Sequence, residues 1–259
     1  YVPSKILTNK DIEKSVDTTE EWILKRTGIE QRHIASCDQA TSDLACEAAK
    51  VAIERAGIDK SEIDMVVVAT ITPDYFCMPS TACVVADKLG LTNVAAFDIS
   101  AACTGFVYAL SIAKAFIESG MKKHVLIIGA ETLRRIDDYS DRTTCVLFGD
   151  GAGAAVISQT LNKDEAIVDV RISSDGSYGE FLMTPGGGSK NPCSQAVLEE
   201  GLQFLKMKGN ETFKVAVRTL TNDVKEILET NNIDPSTITH FVPHQANLRI
   251  IQAVGEALA

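Results

Sequence analysis

The apolar and polar residues of this chain follow two alternating patterns. Short apolar runs, such as "DMVVVAT" (64–70) and "HVLIIGA" (124–130), have the length and composition of strands that are buried on both faces. Between such runs, apolar residues recur every three or four positions in "SDLACEAAKVAIERAG" (42–57) and "TGFVYALSIAKAFIESG" (104–120). This spacing predicts helices that end at glycine. The alternation predicts an α/β protein whose helices cover a largely buried sheet.

The same patterns extend the alternation to both ends of the chain. Further helices are predicted at 18–28, 80–90, 210–231 and 247–259. Further strands are predicted at 94–99, 166–173 and 239–244. The helix at 18–28 starts with a capping-box pattern from Thr18 to Glu21. In "CVLFGDGAGAAVIS" (145–158), glycines separate two apolar ends, which predicts a close-packed hairpin or a strand crossing.

One stretch of the chain recurs further on. "AGIDKSEIDMVVVAT" (56–70) aligns with "NNIDPSTITHFVPHQ" (231–245), and each stretch follows a long helix and leads into a short apolar run. A duplicated α/β unit with halves at 1–158 and 159–259 explains the match, and chance is the alternative. If the chain is a duplicated unit, the second copy of the strand–helix junction at Cys103 falls beyond the last residue. Since the chain also starts without methionine, we expect both ends to be incomplete.

Composition and charge narrow the classes of function. The chain has 259 residues, of which 45% are hydrophobic and 23% charged, the proportions of an ordinary globular protein. No apolar run is long enough to span a bilayer, and the net charge of -10 disfavours nucleic acid as a partner. Seven cysteines, without a C-x-x-C pair or metal-ligand spacing, indicate reduced thiols in a cytoplasmic protein without a metal site.

Cys103 stands where the predicted strand at 94–99 turns into the predicted helix at 104–120. The N-terminus of a helix carries partial positive charge and free N–H groups, which favour a thiolate and can stabilise an oxyanion on a bound acyl group. The residues around the cysteine are small and leave room for a substrate. Cys103 is therefore a candidate nucleophile, and a buried cysteine that acts as a small hydrophobic residue is the alternative.

Among the four histidines, His244 has the position expected of a partner for Cys103. It ends the predicted strand at 239–244, and the carboxyl end of a strand faces the crevice where α/β proteins bind ligands. A structural histidine is the alternative. "GDGAGA" (149–154) fits a relaxed dinucleotide fingerprint, but the following "AAVIS" predicts a strand instead of the helix that such a site requires.

Basic residues cluster in one part of this acidic chain, at Lys206, Lys208, Lys214 and Arg218. A solvated helix face is the ordinary explanation for such a cluster. The functional explanation is a dock for an acidic partner or a phosphorylated ligand. Trp22, which lies near Arg26, can stack on a planar ring or belong to the core.

Five segments together resemble the motifs of the β-ketoacyl-acyl-carrier-protein synthase III family. They are "DTTEEWILKRTGIEQRHIA", "AFDISAACTGFVYAL", "FGDGAGAAV", "DGSYGE" and "VPHQANLRII", and the resemblance covers essentially the whole chain. It implies the thiolase fold, a duplicated α/β unit in five layers (α-β-α-β-α). It also implies decarboxylative condensation of a short acyl-CoA, such as acetyl-CoA, with malonyl-acyl-carrier protein through an acyl-cysteine, the reaction that initiates fatty acid synthesis.

The resemblance assigns roles to individual residues. It makes Cys103 the acylated nucleophile and His244 a member of the catalytic triad. The residues that would hold the nucleotide end of coenzyme A are Trp22, Arg26 and Arg142. Those that would line its pantetheine tunnel are Thr27, Gly209, Phe213 and Asn247. The segment that would dock the carrier protein comprises Gln245, Ala246, Asn247, Leu248 and Arg249, helped by Lys214.

The resemblance also implies the partners. Met78 would reach across the axis of a homodimer and shape the acyl pocket of the partner. Acyl carrier protein and acyl-CoA are expected to bind, while nucleic acid, membrane and a separate cofactor are not. Glu256 and Ala257 stand where the family often has lysines, so docking of an acidic carrier would depend on Lys214 and Arg249.

Three other functions stay open. The family's third catalytic residue, an asparagine in a G-N-T-S-type motif, has no counterpart in this sequence. A related thiolase-fold enzyme could act on another acyl substrate, for example in secondary metabolism, and a cysteine hydrolase would release free acid. A non-catalytic scaffold would bind carrier protein only, and the intact Cys103 and His244 motifs argue against it.

Overall fold

The computed structural model describes residues 1–258, without the side chain of Lys163. Its strands are β1 (Lys5–Thr8), β2 (Gln31–Ile34), β3 (Met65–Ala69), β4 (Ala95–Ile99), β5 (His124–Thr132), β6 (Asp150–Ser158), β7 (Leu182–Met183) and β8 (Lys206–Met207). Its α-helices are α1 (Asn9–Ile12), α2 (Glu20–Thr27), α3 (Thr41–Ala56), α4 (Thr81–Leu89), α5 (Gly105–Glu118), α6 (Gln195–Glu199), α7 (Gly209–Thr230) and α8 (Leu248–Leu258).

The chain divides into two compact units. The first unit comprises Tyr1–Ile6, His33–Leu133 and Gly149–Ile172. The second unit comprises Leu7–Arg32, Arg134–Phe148 and the residues from Ser173 onward. The halves at 1–158 and 159–259 describe a duplication of the fold, and they stay a prediction.

A four-stranded sheet with the strand order β4-β3-β5-β6 forms the centre of the first unit. β3 runs parallel to β4 and β5, and β6 runs antiparallel to β5. Helices α3 and α4 pack on one face of the sheet, around Val66 and Leu126, and α5 packs on the other face, around Val67 and Ile127. β3 and β5 are therefore covered on both sides, which explains their continuous apolar runs.

The ends of the parallel strands lie side by side. In the register of the sheet, Ala69 at the end of β3 is paired with Ile99 of β4 and with Gly129 of β5. The residues that follow these positions therefore emerge at one edge of the sheet. In open α/β sheets this carboxyl edge is where ligands bind.

Helices are the main secondary structure of the second unit. α7 packs against α8, and α8 packs against α2. A small apolar core contains Ile12, Ile23, Cys145 and Val146, while β7 and β8 form an antiparallel pair. α2 ends at Gly28, whose φ of 74° lies in the left-handed region where glycine is favoured.

Two predicted strands are wrong. Residues 166–173 and 239–244 form no strand in the described chain, and their side chains Val168 and Val242 are 67% and 82% exposed. An apolar run becomes a strand only where a neighbouring strand can pair its backbone N–H and C=O groups. Neither segment has such a neighbour within residues 1–258.

Two predictions of local structure also need correction. The side chain that caps α2 is that of Thr19, which accepts a hydrogen bond from the Trp22 N–H, so the capping box from Thr18 to Glu21 is wrong. Two of the three glycines of the predicted hairpin or crossing, Gly151 and Gly153, lie in a single strand, β6, which pairs with β5 along its whole length. In that pairing, Gly153 lies opposite Gly129.

The two copies of the repeat have the same local structure up to the strand. In each, a 3-10 helix follows the long α-helix, at Lys60–Glu62 and at Pro235–Thr237. Asp59 and Asp234 cap these turns alike, each side chain accepting the N–H two residues further on, at 2.8 Å and 2.9 Å. The match therefore extends from sequence to backbone conformation. No helix within residues 1–258 has both the length and the apolar character needed to cross a membrane.

Candidate active site

Cys103 lies at the carboxyl edge of the sheet, in the turn from β4 to α5. It is the middle residue of the 3-10 helix Ala102–Thr104. Ala102 has a φ of 44°, a left-handed conformation that costs about 1–2 kcal/mol for a residue with a side chain. Thr104 closes the turn, since its N–H and its Oγ1 donate to the Ala101 carbonyl at 3.1 Å and 2.8 Å. Strained turns of this kind cluster at functional sites.

Two glycines allow the start of α5 to pack directly on the sheet. A Cβ on Gly105 would lie 2.9 Å from the Cβ of Ala69, the last residue of β3. A Cβ on Gly129 of β5 would lie 3.4 Å from the ring of Phe106. Because neither glycine has a side chain, the helix that follows Cys103 sits against the ends of both strands.

We therefore expect Gly105→Ala to destabilise the protein by about 1–3 kcal/mol, because two buried methyl groups would meet inside their contact distance. The measurement is the free energy of unfolding in urea. Gly153→Ala is the matched control, since no atom lies within 4 Å of its Cβ position. We expect a change within about 0.5 kcal/mol for the control. Equal unfolding midpoints for both variants would contradict the close packing of α5.

The Cys103 thiol is exposed, so a substrate can reach it. The surrounding protein atoms partly desolvate the sulfur, which raises the thiol pKa, while the backbone N–H of Cys103 lowers the pKa and the Glu131 carboxylate raises it further. The expectation of a thiolate favoured by the helix N-terminus is therefore wrong for the free protein. Cys103 is a thiol at neutral pH, and its proton must leave when it attacks a substrate.

Glu131 is a residue of this edge that the sequence analysis missed. It follows Gly129 by two positions in β5 and therefore lies on the same face of the sheet as the start of α5. A signal was available, because a carboxylate ends the apolar run "HVLIIGAE" at the carboxyl end of a strand. The carboxyl ends of strands are where α/β proteins bind ligands, which was the reason for choosing Cys103 and His244 and is equally true of Glu131.

In the second unit, three of the predicted coenzyme A residues form one cluster. The guanidinium groups of Arg142 and Arg26 lie 5.0 Å and 5.7 Å from the centre of the Trp22 ring, within the range of cation–π attraction. Arg142 also donates to the Asp17 carbonyl at 2.7 Å, which fixes its side chain. Two cations on one half-buried aromatic ring make a site suited to a planar ring that carries phosphate groups.

The predicted tunnel residues have different surroundings. Thr27 is buried, and its Oγ1 donates to the Ile23 carbonyl at 2.8 Å. Asn247 accepts the Ile250 N–H at 3.0 Å and so caps the first turn of α8. Gly209 is the first residue of α7, and Phe213 lies one turn further on.

The predicted docking segment leads into α8. The guanidinium of Arg249 lies 5.5 Å from the centre of the Phe213 ring, so these two side chains are together. Leu248 lies close to α2, because a Cβ on Gly28 would be 2.7 Å from the Leu248 Cβ. The Gln245 side chain donates to the Pro243 carbonyl at 3.0 Å, and Ala246 follows it as a half-buried residue.

The basic cluster is partly neutralised. Lys206 pairs with Asp138 at 3.7 Å, and Lys208 pairs with Glu180 at 3.4 Å. Lys214 lies exposed on α7. The positive charge that faces solvent is therefore smaller than the sequence indicates.

His244 lies in the loop before α8, and not at the end of a strand as predicted. Its ring reaches solvent, but the protein atoms around it lower its pKa, since burial disfavours the charged imidazolium. The imidazole is therefore neutral at pH 7. A neutral imidazole can donate one hydrogen bond and accept another.

Cys103 and Met78 belong to the first unit, and the other predicted site residues belong to the second. Met78 is 79% exposed in the loop between β3 and α4.

All seven cysteines are free. Among the described residues, no group of three His, Cys, Asp or Glu side chains has an arrangement that could hold a metal ion.

Solved structures with the same fold place this arrangement in a class. The 3-oxoacyl-[acyl-carrier-protein] synthase III from Aquifex aeolicus VF5 is 44% identical, with a TM-score of 0.90 over 100% of this chain and 78% of that chain. The priming β-ketosynthase from the R1128 polyketide biosynthetic pathway is 36% identical, with a TM-score of 0.87 over 100% of this chain and 75% of that chain. The fold and the cysteine at its strand–helix junction define a condensing enzyme of the thiolase-like class.

Sequence comparison then narrows the class to a family. The family model for 3-oxoacyl-[acyl-carrier-protein] synthase III matches residues 97–176. The β-ketoacyl-[acyl-carrier-protein] synthase III of Sulfurovum sp. (strain NBC37-1) is 67% identical over 258 residues, which cover 100% of this chain and 76% of that protein. The chain belongs to the β-ketoacyl-acyl-carrier-protein synthase III family, the condensing enzymes that initiate fatty acid synthesis.

Proposed function

We propose that the protein joins a short acyl group from acyl-CoA, with acetyl-CoA as the expected primer, to malonyl-acyl-carrier protein. The observation that carries this proposal is the exposed Cys103 thiol, held in a strained turn at the start of α5 in a chain of this family. Cys103 takes the role of the acylated nucleophile. An accessible sulfur at the start of a helix suits the formation of a thioester.

In the first half-reaction, the Cys103 sulfur attacks the thioester carbonyl of acetyl-CoA. A new carbon–sulfur bond forms, the bond to the coenzyme A sulfur breaks, and the Cys103 proton ends on the departing coenzyme A thiol. The backbone N–H of Cys103 stabilises the oxyanion. Because the pKa of Cys103 is raised, this step is expected to accelerate as pH increases.

In the second half-reaction, malonyl-acyl-carrier protein loses carbon dioxide. The electrons of the broken carbon–carbon bond form an enolate, whose carbon attacks the acetyl-cysteine. The Cys103 sulfur leaves as a thiolate, which takes up a proton from the solvent. His244 donates a hydrogen bond to the enolate oxygen, the role that it shares in the family with an asparagine that has no counterpart in this sequence. The lowered pKa of His244 supports this role, since a neutral imidazole is needed.

The test is to incubate the intact enzyme with acetyl-CoA and malonyl-acyl-carrier protein and to measure carbon dioxide and the carrier-bound product. We expect acetoacetyl-acyl-carrier protein and carbon dioxide in equal amounts. Free acetate without a condensed product would indicate a hydrolase. Carrier binding without either product would indicate a scaffold.

We propose that Trp22, Arg26 and Arg142 hold the nucleotide end of coenzyme A. The two guanidinium groups on the Trp22 ring support this role, because Arg pairs with phosphate and an indole stacks on an adenine-like ring. Thr27, Gly209, Phe213 and Asn247 are proposed to line the path of the pantetheine arm.

Trp22→Ala is expected to raise the KM for acetyl-CoA about tenfold and to leave kcat nearly unchanged, because it removes binding that the substrate and the transition state share. Steady-state kinetics with varied acetyl-CoA provide the measurement. Leu24→Ala is the control, since Leu24 is an exposed apolar residue of the same helix. A larger fall in kcat than in affinity would contradict a binding role.

Docking and assembly follow the same family pattern. We propose that carrier protein docks on Gln245, Ala246, Asn247, Leu248 and Arg249, together with Lys214. The exposed cations Lys214 and Arg249 support contact with an acidic partner.

Met78, which is 79% exposed, is proposed to enter the acyl pocket of a second copy in a homodimer. The five-layer duplicated fold, with halves at 1–158 and 159–259, belongs to the same proposal.

A second candidate is condensation of a different primer. The likeness to the R1128 priming β-ketosynthase supports it, because that protein belongs to a polyketide pathway. A panel of straight and branched acyl-CoAs separates the two candidates. Faster acylation of Cys103 by a longer acyl-CoA than by acetyl-CoA would favour the second.

A further inference from the structure

Glu131 lies on the face of the sheet that α5 covers. On the same face of β5, Ile127 is buried beneath α5, and a Cβ on Gly129 would lie against the Phe106 ring. Because side chains alternate along a strand, Glu131 continues this row toward the edge where Cys103 lies. A carboxylate in such a place is costly unless hydrogen bonds satisfy it.

One turn supplies those hydrogen bonds. Glu131 Oε1 accepts the Ile71 N–H at 2.9 Å, and Oε2 accepts the hydroxyls of Thr72 at 2.5 Å and Thr70 at 3.3 Å. The Thr72 hydroxyl in turn accepts the Thr132 N–H of β5 at 2.9 Å. All three groups donate to the carboxylate, which favours its ionised form, whereas burial raises its pKa.

We propose that Glu131 is a positioning residue for the Cys103 nucleophile, a role that rests on the proposed acyl transfer. Its carboxylate fixes the turn of Thr70, Ile71 and Thr72 at the end of β3. The last residue of β3, Ala69, is the surface on which the first residue of α5 packs. Glu131 therefore holds the strand end that supports the helix start next to Cys103.

The same turn is also tied to the strand that leads to Cys103. The Thr70 N–H donates to the carbonyl of Ile99, the last residue of β4, at 3.1 Å. Glu131 on β5, the turn after β3 and the end of β4 are therefore one connected network. Loss of the carboxylate would remove three of the hydrogen bonds that tie the turn to β5, while the bonds of the turn to the Thr132 N–H and to β4 remain.

The carboxylate has an electrostatic effect as well. Its negative charge raises the pKa of the Cys103 thiol, after the larger effect of burial. The other charges on the packed elements lie elsewhere: Asp98 of β4 accepts N–H groups at the start of α4, on the opposite face of the sheet. The Lys114–Glu118 ion pair lies toward the far end of α5. Removal of the Glu131 charge is therefore expected to lower the Cys103 pKa.

Glu131→Gln tests the proposal in the intact enzyme, because it keeps the size of the side chain and removes the charge. One readout is acyl transfer from acetyl-CoA to Cys103. We expect kcat to fall about tenfold or more with KM nearly unchanged, as for a misplaced nucleophile. The other readout is iodoacetamide alkylation of the Cys103 peptide, followed by mass spectrometry, whose pH midpoint we expect to fall. Alkylation of Cys83, an exposed cysteine on α4, is the internal control.

Thr72→Val and Thr72→Ser separate the hydrogen bond from the charge. The valine variant loses the donor at 2.5 Å and keeps the carboxylate, so we expect slower acyl transfer and an unchanged alkylation midpoint. The serine variant keeps a hydroxyl and is expected to restore the rate. If Glu131→Gln does not fold, the two Thr72 variants still test whether the hydrogen bond to Glu131 positions Cys103.

Wild-type acyl transfer and an unshifted midpoint in Glu131→Gln, with only a lower melting temperature, would overturn the proposal. A wild-type rate in Thr72→Val would overturn it as well. The alkylation profile needs no acyl-CoA. If the wild-type enzyme accepts no acyl-CoA, the proposed function fails, while a lowered midpoint in Glu131→Gln still supports the place of Glu131 beside Cys103.

Discussion

Cys103→Ala is expected to abolish formation of the acetyl adduct that the wild-type enzyme forms with acetyl-CoA, and to reduce condensation by more than about 10⁴-fold. The reason is that the Cys103 sulfur is the atom that forms and later breaks the thioester. Intact-mass spectrometry after incubation with acetyl-CoA measures the adduct directly. The adduct should form faster as pH rises, because the Cys103 pKa lies above its usual value and the thiolate fraction grows with pH.

Cys83→Ala is the matched control for this prediction. Cys83 is exposed in the same unit but lies on α4, so its loss should leave the adduct intact. An acetyl adduct on Cys103→Ala would show that another residue is the nucleophile. No adduct on either protein would require the panel of longer and branched acyl-CoAs.

His244→Ala is expected to leave acylation of Cys103 within about threefold of wild type and to slow decarboxylation of malonyl-acyl-carrier protein by about 10²–10³-fold. This is the effect of removing one hydrogen-bond donor from a developing oxyanion. Burial lowers the pKa of His244, so the imidazole stays neutral to a lower pH than a free histidine. The decarboxylation step should therefore be insensitive to pH near 7 and should decline only in the acid range, as His244 gains a proton.

Two further variants serve as controls for His244→Ala. His240→Ala removes an exposed histidine from the same loop and should leave both steps unchanged. His244→Gln keeps an N–H donor and should recover part of the decarboxylation. Equal loss of acylation and decarboxylation in His244→Ala would contradict the assignment of this residue to the second half-reaction alone.

The local spacing of apolar residues correctly predicted several helices but not all of the strands. Periodic apolar spacing predicted α3, α5 and α7, and glycine predicted the end of α3 at Gly57 and of α2 at Gly28. These features depend on residues within one or two turns, so the sequence contains them directly. The segments at 166–173 and 239–244 had equally apolar runs, yet they form no strands, because a strand also depends on a partner that is distant in sequence.

Some features of the candidate site could be predicted from the sequence, and others could not. Cys103 could be found from the sequence, since the strand–helix junction is local, and the family motifs around it pointed to condensing-enzyme chemistry. The Trp22–Arg142 contact could not be found from spacing, because 120 positions separate the two residues in the chain. The direction of the Cys103 pKa shift was wrong for a related reason: the helix N-terminus is visible in the sequence, but the atoms that partly desolvate the sulfur are not.

The sequence by itself determined the longer helices, the buried strands β3, β4 and β5, the nucleophile candidate and the family, because each of these depends on local spacing or on contiguous motifs. Only the tertiary structure decided which distant groups meet. It placed Glu131 against the turn of Thr70, Ile71 and Thr72, and it placed two guanidinium groups on the Trp22 ring. The physical reason is that strand register and packing bring such groups together, and both are properties of the folded chain.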